Sequence, residues 1–312
     1  MKCLLILLGL FVSTADAQEF PQRAPLEITV LFPAGSSADV TARMLADGMS
    51  KSLGQRVLVV NRPGAGGAIG YRYVAQQKPD GYSLVWNSNS ISTTHHSGQL
   101  EIDYRAFDAV ARVLVESVVL AVRSDARWKN LNDFIAEAKE KPMAISVGHS
   151  GVGSHTHISL AALVNAGGVQ VNEVPFGAAQ VVPSLLGGHV DAVMQLPAAL
   201  AAPVKQGQVR MLAALIPSRD PALPDVPTAR EQGVDVSLEA WRGIAVPRGT
   251  PREVIATIEK SIKAAVESPE FVKGSEHLGV RPAFLGADDF SALITKEDGE
   301  LSRLMQQIGL KK

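Results

Sequence analysis

Residues 28–53 read ITVLFPAGSSADVTARMLADGMSKSL, which is a short apolar run, a loop of small residues and then a helix-length segment. The apolar run Ile28–Leu31 predicts a buried strand, and the apolar residues from Val40 to Leu53 recur at helical spacing. A strand, a tight loop and a helix in this order form the repeating unit of an α/β protein with parallel strands.

The same alternation continues along the chain and then restarts after Arg123, which predicts two lobes. Further strands are expected at Val57–Val60, Ser83–Trp86, Val118–Val122, Ala144–Val147, Val171–Val174, Ala192–Leu196, Val209–Leu215 and Trp241–Val246. Further helices are expected at Ile69–Gln77, Leu131–Lys139, Ser154–Asn165, Pro251–Ser268 and Asp288–Ile308. The segment Pro217–Pro227 carries four prolines and is expected to be irregular.

The N-terminal residues have the features of a signal peptide. Lys2 precedes an apolar run from Leu4 to Val12, and small residues follow at Ala15-Asp16-Ala17. The run is shorter than the roughly 20 residues that a spanning helix needs. We therefore expect residues 1–17 to be removed by cleavage after Ala17 and the mature protein to reside in the periplasm.

Composition restricts the possible functions. The only cysteine, Cys3, lies in the segment expected to be removed, which excludes a cysteine nucleophile, a cysteine-ligated zinc and an iron–sulfur cluster. The formal net charge is −1, so nothing indicates a nucleic-acid or membrane-surface partner. A chain of 312 residues is long enough for two well-packed domains.

Two loops of small residues, Phe32–Asp39 and Gly148–Ser154, each join a strand to a helix. The first N–H groups of a helix lack intrahelical partners and favour an anion, by roughly 0.3 to 1 kcal/mol per helix end. Ser37, Asp39 and Ser154 are also good N-cap residues, so a purely structural role stays open for either loop alone. Two such loops in different lobes favour a shared anion-binding cleft.

Two other motifs are less specific. Gly148-His149-Ser150-Gly151 approaches the G-x-S-x-G signature of serine hydrolases, but Val152 stands where the second glycine is required. The glycine-rich segment Asn61–Gly70 lacks the acidic residue that a dinucleotide ribose needs about 20 residues later. A structural glycine turn is therefore the better interpretation of that segment.

The histidine pairs His95-His96 and His155-x-His157 lack the four-residue spacing of helical metal ligands, so no metal is expected. His157 is either a donor that faces the cleft or a capping and packing residue. Asn87 and Ser88 end a strand, where an open α/β sheet binds ligands, although turn formation explains them equally well.

With these residues identified, the chain strongly resembles the Bug-type extracytoplasmic receptors of tripartite tricarboxylate transporters, from about Ile28 to Leu310. Each marker is weak alone, but the ordered set is specific. The markers are Asn61–Gly67, Pro79–Tyr82, Gly148–His157, Leu185–Asp191, Leu223–Thr228, Trp241–Gly243 and Pro247–Pro251.

The resemblance implies a periplasmic-binding-protein type II fold, with two lobes of mainly parallel sheets joined by two crossing strands. The expected first lobe comprises residues 26–122 and 243–312, and the second comprises residues 123–242. The resemblance also implies a monomer without cofactor or catalysis, which captures a carboxylated solute and delivers it to a membrane permease. A periplasmic sensor module for the same ligands is the alternative.

In this family two strand-to-helix loops hold one carboxylate end of the ligand, and here those loops match Ala34–Asp39 and Ser150–Ser154. The residues expected to bind the ligand are Ser36, Ser37, Asp39, Asn87, Ser88, Ser150, Gly151, Val152, Gly153, Ser154, His157, Phe176, Ala178 and Gln195. The family commonly has Val-Pro-Tyr-Lys-Gly-Gly where this chain has Val174–Ala179, which removes a phenol and an ammonium. This departure predicts a less polar far wall, suited to an aromatic or alkyl carboxylate.

Overall fold

The computed structural model describes residues 20–312, and the expected signal peptide lies outside this range. The strands β1 to β11 of the described chain are Leu26–Val30, Val57–Asn61, Ser83–Ser88, Phe107–Ser117, Val119–Arg123, Ser146–His149, Asn172–Pro175, Ala192–Gln195, Val209–Ala214, Glu239–Pro247 and Arg281–Leu285. The helices α1 to α10 are Ser37–Leu53, Ala68–Ala75, Ser90–His96, Leu131–Glu140, His155–Gly167, Val181–Leu186, Pro197–Lys205, Arg252–Val266, Pro269–Leu278 and Ala287–Gln307.

The strands form two sheets, in the orders β11-β4-β10-β3-β1-β2 and β7-β6-β8-β5-β9. We refer to the first sheet and its helices as lobe 1 and to the second as lobe 2. In each sheet one strand pairs with two parallel neighbours, namely β1 with β2 and β3, and β6 with β7 and β8. The other pairings are antiparallel.

The sheets are therefore mixed, and the expectation of mainly parallel sheets was wrong. The antiparallel pairings belong to strands at the crossings between lobes. Strand β4 is followed by β5 after a single residue, Val118, and β10 returns to lobe 1 between β3 and β4. These crossings lie a few residues before the expected boundaries after residues 122 and 242, and the division into domains stays a prediction.

The core of lobe 1 buries β1, which lies between β3 and β2 in its sheet. Ile28 and Val30 are fully buried in one cluster with Leu45 and Met49 of α1 and Ile258 of α8. Each fully buried side chain of this size contributes roughly 1.5 to 3 kcal/mol relative to an exposed one. The packing fixes the position of the loop between β1 and α1.

Several elements were missed by the sequence-based prediction, among them α3, β4 and α9. Helix α3 consists of Ser90, Ile91, Ser92, Thr93, Thr94 and two histidines, which are weak helix formers. Burial of its first five residues overrides this weak propensity. Within residues 20–312, no helix has the length and apolar character to cross a bilayer.

Candidate functional site

A cleft with about 430 Å³ of atom-free space lies between the two lobes. Its walls come from the starts of α1 and α3 in lobe 1 and of α5 and α7 in lobe 2. The lining residues are Phe32, Ser36, Ser37, Ala38, Ser88, Asn89, Ser90, Ser150, Ser154, His155, Thr156, Ala178, Gln195, Leu196, Ala240 and Arg242.

The start of α1 presents unused donors to this cavity. Ser36 is the N-cap, and its Oγ accepts a hydrogen bond from the N–H of Asp39 at 3.3 Å. The backbone N–H groups of Ser37 and Ala38 have no acceptor within residues 20–312. Both residues are buried, so these amides are available to a ligand in the cavity.

Asp39 stabilises this loop through contacts outside the cavity wall and does not line the cavity. Its carboxylate accepts from the Gly35 N–H at 3.0 Å and from Asn61 Nδ2 at 3.0 Å, and it pairs with Arg43 at 2.8 Å. Although burial raises the pKa of Asp39, the hydrogen bonds from Arg43, Gly35 and Asn61 lower it below its usual value overall. Asp39 therefore holds the turn as a carboxylate.

The start of α5 repeats the arrangement from the other lobe. Ser154 is the N-cap, and its Oγ accepts from the N–H of His157 at 3.3 Å. The N–H groups of His155 and Thr156 have no acceptor in the described part of the chain. Gly151 has φ +100°, a conformation that other residues rarely adopt, and it directs the loop toward the cavity.

Arg242 is the cavity residue with a full positive charge that the sequence-based prediction missed. It lies on β10 opposite Ser88 of β3, and its Nε donates to Oε2 of Glu116 at 3.2 Å. Glu116 is fully buried, and it also accepts from the Oγ of Ser37. No hydrogen bond within residues 20–312 reaches either Nη of Arg242. A charged residue inside the otherwise apolar segment Ala240–Val246 was the available signal.

His155 also lines the cavity and was missed. It is 6% exposed, and neither ring nitrogen has a hydrogen-bond partner among the described residues. Burial and the nearby charge of Arg242 lower its pKa to about 4, with weak opposition from the backbone of Leu238. His155 is therefore a neutral imidazole near pH 7.

His157, for which the sequence left open a donor role in the cleft or a capping and packing role, lies outside the cavity wall. Its Nδ1 accepts from the N–H of Gly153 at 3.1 Å, and its Nε2 lies 3.2 Å from Oε2 of Glu173. Its ring stacks on His149 with 4.5 Å between centroids. The alternative that the sequence left open, a packing role, describes its position.

His149, His157 and Glu173 form a cluster whose potential metal-ligand atoms lie within 4.8 Å of one another. Because Nδ1 of His157 accepts from Gly153, the neutral ring carries its proton on Nε2, toward Glu173. A metal ion bound to Nε2 would displace this proton, and the neutral ring would then carry its proton on Nδ1. That proton would conflict with the N–H of Gly153, which donates to Nδ1. His157 and Glu173 are thus arranged as a hydrogen-bonded pair, with His149 stacked on His157.

The structure brings half of the residues expected to bind the ligand into the cavity wall. Those that line it are Ser36, Ser37, Ser88, Ser150, Ser154, Ala178 and Gln195. Gln195 Nε2 donates to the Oγ of Ser150 at 3.4 Å, which links β8 to the second loop. Direct contact of these residues with a ligand stays a prediction.

The other expected residues have different partners. Asn87 accepts from the hydroxyl of Tyr71 at 2.8 Å, and Val152 is 53% exposed. Residues outside the cavity wall are Asp39, Asn87, Gly151, Val152, Gly153, His157 and Phe176. The ring of Phe176 lies against Gly148, so the less polar wall expected from this position does not come from Phe176. Apolar contacts in the wall come instead from Phe32, Ala38, Leu196 and Ala240.

Comparison with protein families decides the classification. Residues 41–310 match the model of the tripartite tricarboxylate transporter family receptors. The chain belongs to this receptor family. BugT of Bordetella pertussis is 30% identical to this receptor over 323 residues, which cover 100% of the chain and 99% of BugT.

Solved structures agree with the fold. The receptor is similar to the periplasmic binding protein BugD, with a TM-score of 0.87, 29% identity and coverage of 93% of this chain and 99% of BugD. It is also similar to MatC from Rhodopseudomonas palustris with bound malate, with a TM-score of 0.83, 27% identity and coverage of 91% and 99%. The expected two-lobed periplasmic-binding fold is thereby confirmed.

The family and these neighbours are binding proteins, so this receptor is not an enzyme. The geometry agrees with that conclusion. Ser150 and His157 share no hydrogen bond within residues 20–312, because both ring nitrogens of His157 face other partners. A serine nucleophile needs a base within hydrogen-bond reach.

Proposed function

We propose that this receptor captures a small carboxylated organic anion in the cavity between its lobes and delivers it to the permease of a tripartite tricarboxylate transporter. The observation that carries the proposal is the pair of helix starts that face each other across the cavity. Free N–H groups of Ser37 and Ala38 come from lobe 1, and those of His155 and Thr156 come from lobe 2. A carboxylate between them can accept from both helices.

The energetics favour an anion that is fully enclosed by donors. A buried carboxylate without partners would be prohibitively unstable, whereas charge-assisted hydrogen bonds replace its lost water. In the proposed cycle the anion first docks on one lobe, and the lobes then rotate about the crossings until the second helix start completes the cage. Binding energy drives this closure.

Contacts between the two lobes support closure by this route. Gln99 of lobe 1 donates from Nε2 to the carbonyl of Val152 in the second loop at 2.8 Å. A Cβ added to Gly66 of lobe 1 would lie 3.1 Å from the same carbonyl. The two lobes thus touch beside the cavity, at the loops proposed to hold the ligand.

The proposal extends to the cellular location. Residues 1–17 would act as the signal peptide, cleavage would follow Ala17, and the mature receptor would be a periplasmic monomer with lobes at residues 26–122 plus 243–312 and at 123–242. Mass spectrometry of the receptor released by osmotic shock tests the cleavage site. A mature chain that begins at Gln18 agrees with the proposal, and a retained N-terminus contradicts it.

A membrane pull-down tests the transport role against the sensor alternative. Purified receptor is incubated with solubilised membranes, with and without a saturating carboxylate. Ligand-dependent recovery of permease subunits supports delivery to a transporter. Recovery of a signalling protein in their place would favour the sensor module.

A further inference from the structure

We propose that Arg242 and Glu116 together set the charge of the ligand, so that the cavity selects monocarboxylates over di- and tricarboxylates. This proposal rests on the proposed function, because it names the ligand class of the same cavity. It is carried by the ion pair that Arg242, a lining residue, forms with the buried Glu116 outside the lining, and by the charges of the other lining residues.

The ion pair presents a prearranged donor to the cavity. Arg242 is 5% exposed and Glu116 is 0% exposed, so each needs the charge of the other to be stable in the closed protein. Glu116 uses only the Nε of Arg242, and the two Nη groups have no partner within residues 20–312. A planar guanidinium held in this way matches the two oxygens of one carboxylate.

Glu116 also reduces the number of hydrogen-bond donors and the positive charge that lobe 1 can offer to a second carboxylate. It accepts from the Oγ of Ser37 as well as from Arg242, so one hydroxyl at the start of α1 is already used. Its negative charge cancels the positive charge of Arg242. The wall of lobe 1 is therefore formally neutral, and only the Nη groups and the helix amides remain to bind an anion.

The other lining residues supply no second cation. Arg242 is the one lysine or arginine in the cavity wall formed by the described residues, and His155 is neutral near pH 7 because burial and Arg242 lower its pKa to about 4. One carboxylate can be stabilised by the Nη groups and the helix starts. A second would be buried without a cation, which is unfavourable.

Polar side chains near α3 are occupied within lobe 1. Asn89 donates from Nδ2 to Glu297 at 2.9 Å, and its Oδ1 accepts from the N–H of Trp241 at 2.9 Å. The N–H of Ser90 donates to the Oγ of Ser88 at 3.2 Å. The remaining wall, from Phe32 and Leu196 among others, suits the apolar body of a monoacid.

Calorimetric titration with benzoate, hexanoate, malate and citrate tests the proposal on the full mature receptor. We expect benzoate or hexanoate to bind at least about tenfold more tightly than malate and citrate, because a second carboxylate has no cationic partner. Arg242→Gln should weaken binding of the monoacid at least about tenfold, since it removes a charge-assisted contact. Arg242→Lys should weaken it less, because the positive charge remains.

Glu116→Gln is the decisive variant, because it leaves the wall with a net positive charge. We expect the ratio of malate to benzoate affinity to rise at least about tenfold over the wild type. Glu27→Gln is the matched control, because it removes a carboxylate from the Arg62 ion pair in lobe 1 but outside the cavity. That control should keep the wild-type ratio.

The outcomes separate this inference from the function on which it rests. Tighter binding of malate or citrate than of both monoacids by the wild type overturns the charge selection and leaves carboxylate binding intact. An unchanged ratio in a folded Glu116→Gln receptor also overturns it. No binding of any of the four acids contradicts the proposed function itself. If Glu116→Gln does not fold, the preference of the wild type among the four acids and the affinities of the two Arg242 variants still test the proposal.

Discussion

The Nε2 of Gln99 donates to the backbone carbonyl of Val152 at 2.8 Å and thereby joins lobe 1 to the second cavity loop. The bond joins the two lobes, so it exists only when the lobes are together. The two lobes are also in close contact beside this bond. A Cβ added to Gly153 of the second loop would lie 2.8 Å from the Oγ of Ser97 in lobe 1. This contact connects ligand retention to a residue that does not touch the cavity.

Gln99→Ala should weaken binding of the tightest carboxylate in the panel by about two- to tenfold, because a net hydrogen bond contributes about 0.5 to 1.5 kcal/mol. Calorimetry measures the change. Gln77→Ala is the control, because the Gln77 side chain donates within lobe 1, to the carbonyl of Tyr73 on α2. Equal affinities for the wild type and Gln99→Ala would mean that the bond between Gln99 and Val152 does not hold the closed form.

Ser154→Ala should lower both stability and affinity, because the N-cap also lies in the cavity wall. We expect a loss of about 1 kcal/mol in the free energy of unfolding without ligand. Ser268→Ala is the matched control, because Ser268 caps α9 outside the cavity and bonds Phe271 N–H at 3.2 Å. It should lose similar stability and retain full affinity. Full affinity in Ser154→Ala would remove this helix start from the site.

His157→Ala should lower the free energy of unfolding by about 1 to 3 kcal/mol, because the buried N–H of Gly153 loses its acceptor. Urea denaturation without ligand measures this loss. His277→Ala, which changes an exposed histidine on α9, should have little effect. If His157→Ala lost ligand affinity at unchanged stability, His157 would contact the ligand, as sequence reasoning first allowed.

Glu297 predicts a specific pH dependence of stability. Burial raises its pKa to about 7, although Trp241 donates a hydrogen bond to it. The folded receptor thus holds a proton between about pH 4.5 and 7 that the unfolded chain releases, so this contribution to stability is complete at low pH and is lost as the pH rises through 7.

Urea denaturation at pH 5, 6, 7 and 8 measures that contribution as the difference between the wild type and Glu297→Gln. The variant should gain stability relative to the wild type as the pH rises, by at most about 1.4 kcal/mol per pH unit. Glu276→Gln, which changes an exposed carboxylate on α9, is the control. A constant difference between pH 5 and 8 would show that Glu297 has an ordinary pKa.

Sequence periodicity was sufficient to predict the strands and helices whose apolar residues face a single core. The expected strand Val57–Val60 and helix Leu131–Lys139 agree with β2 and α4 within one residue at each end. The two strand-to-helix loops were also located from the sequence, because a strand end, small residues and a helix start leave a local pattern. Family resemblance placed those loops on opposite lobes.

The rest depended on contacts between distant parts of the chain. Glu116 and Arg242 meet because β4 and β10 pair antiparallel with Ala240 opposite Glu116, which places Arg242 two residues further along β10 on the same face. Strand β4 was not predicted from the sequence. His155 and His157 are two residues apart on α5, so they point to different sides of the helix and only one reaches the cavity. Which of the two faces the cavity is set by how α5 packs on lobe 2, and sequence spacing does not contain that information.

The most direct test of the central claim is a thermal-shift measurement in which each carboxylate is paired with its uncharged amide. Benzoate and benzamide, hexanoate and hexanamide, and malate and malamide share a body and differ in charge. We predict that at least one carboxylate, at 100 times its Kd, raises the free energy of unfolding by about 2.7 kcal/mol, while its amide has no effect. Equal shifts from acid and amide, or no shift from any acid, would contradict an anion site built from the starts of α1 and α5.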